Sequence, residues 1–224
     1  MLSSLHTNDD IFWEERGSLK TDRLDNYDNT DYPLINFEYG KHIAKLVGLN
    51  METGPWLAGG MVRRIYSGHS TDGTADWDIW FANQQQYFSA KDRILKLRES
   101  LIIADTANAI TVGLHPNGRP GLPVKVQLIQ KKFFANAHEV IADFDFSICQ
   151  LLTDGYTILT GDTTTDDLAS KTIRLCDPNF NVSVKGFFNR VLKYTAYGFS
   201  PSSELILQMQ KITPDFTWGE ANAY

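Results

Sequence analysis

The stretch from Trp56 to Phe81, WLAGGMVRRIYSGHSTDGTADWDIWF, constrains this chain more than any other. A short apolar run ends in the pair Gly59 and Gly60 and is followed by a helix-like segment, Met61 to Tyr66, that carries Arg63 and Arg64. A polar loop then leads to Asp76-Trp77-Asp78 and the apolar run Ile79-Trp80-Phe81. The pattern predicts strand, glycine turn, helix, loop, strand. Glycine has no Cβ, so backbone at the turn can approach a ligand closely. A helix that begins just after it presents unpaired N–H groups, which favour phosphate. Side chains two apart on a strand share a face, so Asp76 and Asp78 project together. Adjacent carboxylates repel unless a cation lies between them, and Mg²⁺ takes carboxylate oxygens together with substrate phosphates. A glycine turn beside paired aspartates therefore suggests a site for a metal and a nucleoside triphosphate.

At these residues the sequence resembles the nucleotidyltransferase superfamily of DNA polymerase β, poly(A) polymerases and CCA-adding enzymes. The matching positions are Gly59, Gly60, Asp76 and Asp78, and Gly-Gly-Met-Val-Arg looks most like the Gly-Gly-x-Val-Arg of the CCA-adding and poly(A) polymerase branch. There are two departures: an inserted loop, His69 to Thr74, and Trp77 where a smaller aliphatic residue is usual. The resemblance implies a mixed α/β (α+β) fold. It would be a nucleotidyltransferase-like twisted mixed sheet flanked by helices, with a helical C-terminal extension. The expected division is an N-terminal arm at 1–32, a core at 33–160 and a helical extension packed on it at 161–224.

Composition narrows the partners. A chain of 224 residues makes one domain, or one with a small appendage. A net charge of −6 argues against broad, sequence-independent nucleic-acid binding, which needs a basic face. Cys149 and Cys176 are too few for a disulfide scaffold or a zinc site and suit a reducing compartment. The N-terminus is polar and acidic, unlike a signal peptide, and no apolar run is long enough to span a membrane. A soluble, cytoplasmic protein is expected.

In chain order, Phe12 and Trp13 are expected to anchor the arm, with Asp22, Asp25, Asp28 and Asp31 on solvated surface. Leu34 to Leu49 has helical spacing, including Phe37. Asn83 to Gln86 reads as a polar turn. Ser89 to Ala104 reads as a helix, capped by Ser89 and buried through Ile94, Leu95, Leu97, Leu101 and Ile102. Ala109 to Leu114 and Val124 to Ile129 read as a hairpin joined by the turn-rich loop His115 to Gly121. Phe133 to Ala142 looks helical, Asp143 to Leu152 like a buried strand, and Asp154-Gly155 like a hairpin turn before Tyr156 to Leu159. Gly161 to Asp167 reads as a loop, Leu168 to Leu175 as helix or strand, and Lys185 to Tyr197 and Ser203 to Lys211 as helices.

The resemblance also implies a third carboxylate, on a later strand of the same sheet, for two-metal phosphoryl chemistry. The strand Val124 to Ile129 has Gln127 where an acid might stand. The next segment offers Asp145, set between Phe144 and Phe146, with Asp143 as its competitor. The run FDFSICQLLTDG further resembles a viral and bacteriophage subgroup of nucleotidyltransferases, which would place the protein in a host cytoplasm. Arg63 and Arg64 are either solvent-facing charge or triphosphate ligands. Arg190, Lys193 and Tyr194 share a face at helical spacing and could supply phosphate charge and a stacking ring; an amphipathic helix with a basic outer face is the plainer reading.

The expected activity is metal-dependent transfer of a nucleoside monophosphate from an NTP such as ATP to a hydroxyl acceptor, with release of pyrophosphate. Mg²⁺ or Mn²⁺ would be held by Asp76, Asp78 and Asp145. The acceptor is open among an RNA 3′ end, a protein and a small molecule. The alternatives are an inactive binding module or viral accessory protein that keeps the fold, and the toxin of a toxin–antitoxin pair.

Overall fold

The computed structural model describes residues 2–5, 32–35, 38–69, 76–98, 100–115, 123–176 and 184–212. Phe12, Trp13, Asp22, Asp25, Asp28, Asp31, Phe37, most of the inserted loop before Asp76 and most of the His115–Gly121 loop lie outside them. The chain divides into two compact units. One comprises 1–143 with 150–161, and the other 144–149 with 162–224.

The first unit is a mixed sheet flanked by helices. Its elements are β1 (Leu2–Leu5), α1 (Glu38–Val47), β2 (Trp56–Ala58), α2 (Gly60–Tyr66), β3 (Trp77–Trp80), α3 (Gln84–Leu95), β4 (Ser100–Asp105), β5 (Ala109–Leu114), β6 (Val124–Ile129), α4 (Ala137–Ala142), β7 (Leu151–Thr153) and β8 (Ile158–Gly161). The strand order is β1-β8-β7-β2-β3-β6-β5-β4. The β3–β6 pair is parallel and the other pairs are antiparallel. The central strands are buried on the face formed by Leu57, Trp77, Ile79, Val126 and Leu128, all fully inaccessible. Burying an aromatic side chain as large as Trp56 or Trp77 contributes roughly 4–6 kcal/mol of transfer free energy.

Local chemistry sets the helix starts. Asn83 accepts the Gln86 amide (2.9 Å), and the Gln86 side chain returns to accept the Ala82 amide (3.0 Å). Asn136 and Glu139 repeat the arrangement at α4: Asn136 accepts the Glu139 amide (3.0 Å) and Glu139 accepts from Ala135 (2.9 Å). Both are reciprocal caps. Residues 83–86 are thus the start of a helix and not a polar turn.

The helix expected to run to Ala104 ends at Leu95. Leu101 and Ile102 lie on β4, the last strand of the sheet, and are 61% and 49% exposed. The β-branched pair Ile102-Ile103 suits an extended backbone, and β4 pairs with β5 on both sides of a register shift between Ile102 and Ala104. The hairpin β5–β6 has the expected bounds. Between β7 and β8, Gly155 has φ +93°, and a Cβ there would collide with the Tyr32 ring.

The second unit contains a 3-10 turn (Ser147–Cys149), α5 (Thr164–Ala169), β9 (Thr172–Ile173), α6 (Val184–Ala196), β10 (Ser200–Pro201) and α7 (Ser203–Ile212), with β9 and β10 parallel. Its core gathers Phe146, Ile148, Cys149, Ile173, Phe187, Val191, Tyr194, Leu205 and Met209. The strand expected over 143–152 is divided. Phe146 bridges Leu175, the Ser147 amide donates to the Arg174 carbonyl (3.0 Å), and the Cys176 amide donates to the Asp145 carbonyl (2.7 Å). Only Leu151–Thr153 joins the large sheet. The loop expected at Gly161–Asp167 contains the start of α5, where Asp166 and Asp167 occupy a first turn that favours acids.

Candidate active site

The sheet register assembles the site. Ala58, the last residue of β2, lies opposite Asp78 on β3, and Asp78 lies level with Gln127 on β6. Paired residues on neighbouring strands project to the same face, and the strand period brings Asp76 to that face as well. A side-chain contact marks the convergence: Gln127 Nε2 donates to Asp76 Oδ2 (3.2 Å). Asp76 is exposed, while Asp78 and Gln127 are half-buried. Trp77, between the two aspartates, points the other way into the core.

The unusual residue at this position has a structural counterpart on α1. Gly40 sits against the indole, and a Cβ there would lie 2.8 Å from Trp77 Cη2 and Cζ2. The small residue that makes room is therefore on α1 and not on the strand.

Because β2 and β3 are antiparallel, the turn that follows Ala58 lies at the end of the sheet where Asp76 and Asp78 enter. Gly59 has φ +81° and ψ −138°, a region essentially restricted to glycine. Its amide donates to Leu151 O (3.0 Å), and its carbonyl accepts the first turn of α2 from the Arg63 amide (3.1 Å). A Cβ added at Gly60 would meet open space. Met61, Val62 and Ile65 bury one side of α2. Arg63 and Arg64, three and four residues after Gly60, share its side and are half-buried. Helical side chains tend to lean toward the N-terminus, the direction in which the glycine turn lies.

Each of the other predicted site residues has partners within its own unit. Asp143 caps the end of α4 and pairs with Lys132 (2.7 Å). Asp145, in the second unit, has a fully buried side chain that pairs with Arg190 (2.6 Å) and accepts the Phe146 amide (2.9 Å). Burial by itself would make the Arg190 guanidinium easier to deprotonate; Asp145, Cys149 and Tyr194 together outweigh this and raise its pKa above the ordinary value. Tyr194 is buried in that unit's core, where its hydroxyl accepts from the Cys149 thiol (2.9 Å) and its ring meets Phe146 edge-on. Lys193 is exposed beside it. Among the described residues, no group of three or more His, Cys, Asp or Glu side chains is arranged to hold a metal ion. Asp76 and Asp78 could supply two carboxylate ligands to one Mg²⁺, an ion that needs few protein ligands when substrate phosphates complete its shell. In the sequence Gln127 is only a position without an acid; its register level with Asp78 and its bond to Asp76 reveal it. No helix among the described residues is long and apolar enough to cross a membrane.

This sheet, with its glycine turn and paired acids, is a nucleotidyltransferase-like fold. It is similar to that of the Thermotoga maritima CCA-adding enzyme in complex with tRNA, at TM-score 0.56 and 15% identity over 84% of this chain and 46% of that one. It is also similar to CCA-adding enzyme complexes with CTP (TM-score 0.59, 14% identity, 81% of this chain and 44% of that one) and with ATP (0.60, 13%, 83% and 45%). The chain spans less than half the length of these enzymes, and at such identities the likeness is one of fold. A sequence model of the Gabija anti-defense 2 family matches residues 28–171, and the chain belongs to that family. No curated protein matches it.

Proposed function

We propose that this protein is a metal-dependent nucleotidyltransferase that moves a nucleoside monophosphate from an NTP to a hydroxyl acceptor. The observation that carries the reading is the shared face of Asp76 and Asp78 at the sheet end occupied by the Gly59–Gly60 turn. The fold supports it, because structures of the same fold are complexes with CTP and ATP.

In this reading Asp76 and Asp78 hold Mg²⁺, which when bound neutralises phosphate charge and orients the triphosphate. Gly59 and Gly60 let backbone approach the β- and γ-phosphates. Arg63 and Arg64 add positive charge beside the same turn. The acceptor oxygen attacks the α-phosphorus, forming one P–O bond. The bond from the α-phosphorus to the bridging oxygen breaks, its electron pair leaves with pyrophosphate, and the acceptor proton passes to water. Catalysis on this account is positioning and charge neutralisation.

The family's name directs the search for an acceptor. We infer a counter-defence setting in which the acceptor belongs to, or signals to, the Gabija system. A protein side chain, an RNA 3′ end and a small molecule are all chemically open. Incubation with each α-labelled NTP, Mg²⁺ or Mn²⁺, and a pool of Gabija proteins, RNA and metabolites is expected to move label to one class. Persistence of transfer after Asp76→Ala with Asp78→Ala would refute the assignment. A second reading, an inactive binding module, is favoured by one observation: a neutral Gln127 stands level with Asp78. Tight binding to a Gabija protein without label transfer, unchanged in that double variant, would select it.

A further inference from the structure

We propose that Gln127 is a positioning residue that stands in for a third carboxylate, so that the site takes one divalent ion and not two. The inference deepens the reading above and rests on it.

Gln127 is the β6 residue level with Asp78, and its carboxamide reaches past that level to Asp76 Oδ2 (3.2 Å). Two carboxylates on one face repel. The Gln127 N–H holds one Asp76 oxygen and limits its rotamer before any ion arrives. A glutamate at 127 would have the same length, but it would replace the N–H donor by a third negative charge.

The charge count follows. Asp76 and Asp78 carry the charge that balances one divalent ion. A second ion, on the acceptor side, would need another anionic protein ligand. Neither candidate third acid is unengaged: Asp143 pairs with Lys132, and Asp145 pairs with Arg190 within its own unit. The described residues contain no group of three or more His, Cys, Asp or Glu side chains placed to hold a metal ion.

The test is Mn²⁺ binding to the full chain, counted by electron paramagnetic resonance with a nonhydrolysable NTP present, together with melting temperature in EDTA and in Mn²⁺. Wild type is expected to hold one Mn²⁺ per chain. Gln127→Ala should keep that stoichiometry and weaken affinity about tenfold, the usual effect of removing a group that orients a metal ligand. Gln127→Glu should gain a second Mn²⁺, and should melt lower than wild type in EDTA with the gap closing in Mn²⁺. A merely structural role would not produce that gain. Two ions in wild type, or an unchanged count in Gln127→Glu, overturns the inference. Mn²⁺ binding that survives Asp76→Asn with Asp78→Asn overturns instead the reading on which it rests.

Discussion

Gly40 and Trp77 offer the sharpest test of how the fold carries the two aspartates. In Gly40→Ala the new methyl would lie 2.8 Å from two atoms of the Trp77 ring and 2.9 Å from Ile35 Cγ2, closer than carbon atoms pack. Trp77 is fully buried, so its rigid ring has no solvent to move into. Overpacking of this kind costs about 1–3 kcal/mol. Alanine in place of a helical glycine recovers at most ~1 kcal/mol, and Gly40 is in the first turn of α1, where the gain is smaller. The net expectation is a loss of roughly 1–2 kcal/mol. In a Trp77→Leu background the indole is gone and Ile35 can shift into its space. There Gly40→Ala becomes neutral, or stabilising by a few tenths of a kcal/mol. The assay is urea unfolding of the four proteins of a double-mutant cycle, with an expected coupling of about 1–2 kcal/mol. Additivity of the two substitutions within ~0.5 kcal/mol would refute the packing argument. Because Trp77 lies between Asp76 and Asp78, Gly40→Ala should also weaken NTP binding while the protein remains folded.

Three other outcomes follow from the geometry. Arg190→Ala leaves the buried Asp145 carboxylate without its cation and should destabilise the protein by about 3 kcal/mol, the low end for a buried pair because Arg190 is partly exposed. Denaturant melts should show partial recovery when Asp145→Asn is added. Gly59→Ala forces an L-residue to φ +81° and should lose ~1–3 kcal/mol, read by thermal unfolding, along with NTP binding. The Tyr32 phenol is pushed up to about 12 by burial, then by the charges of Tyr156 and Asp154. Its folded pKa exceeds the unfolded value of about 10, so its contribution to stability is intact below pH ~10 and is lost as pH rises toward 12. Alkaline unfolding of Tyr32→Phe should be flatter over that window.

Much of the central motif was legible because it is local. A glycine pair, a helical period and alternating acids each specify their own backbone, and the register of β2 against β3 then follows from the apolar face they share. The hairpin β5–β6 was legible for the same reason. What escaped was set by distant partners. Residues 144–149 are apolar enough to read as a continuous strand, yet their backbone hydrogen bonds go to Arg174–Cys176, some thirty residues later. Leu101 and Ile102 fit a helical stripe by spacing, but the helix has already ended at Leu95, and β5 claims their backbone. The starts of α3 and α4 were written in the chain as Asn-x-x-Gln and Asn-x-x-Glu. Gln127 is different in kind: no charge marks it, and only its place opposite Asp78 shows what it touches.

If Asp76 and Asp78 hold a metal-bound nucleotide beside the glycine turn, a nonhydrolysable NTP binds the full chain saturably in Mg²⁺, and equilibrium titration shows that binding weaken at least about tenfold in EDTA and equally in Asp76→Asn with Asp78→Asn. Binding of the same strength in EDTA, or in that folded double variant, would show that the two aspartates do not hold it.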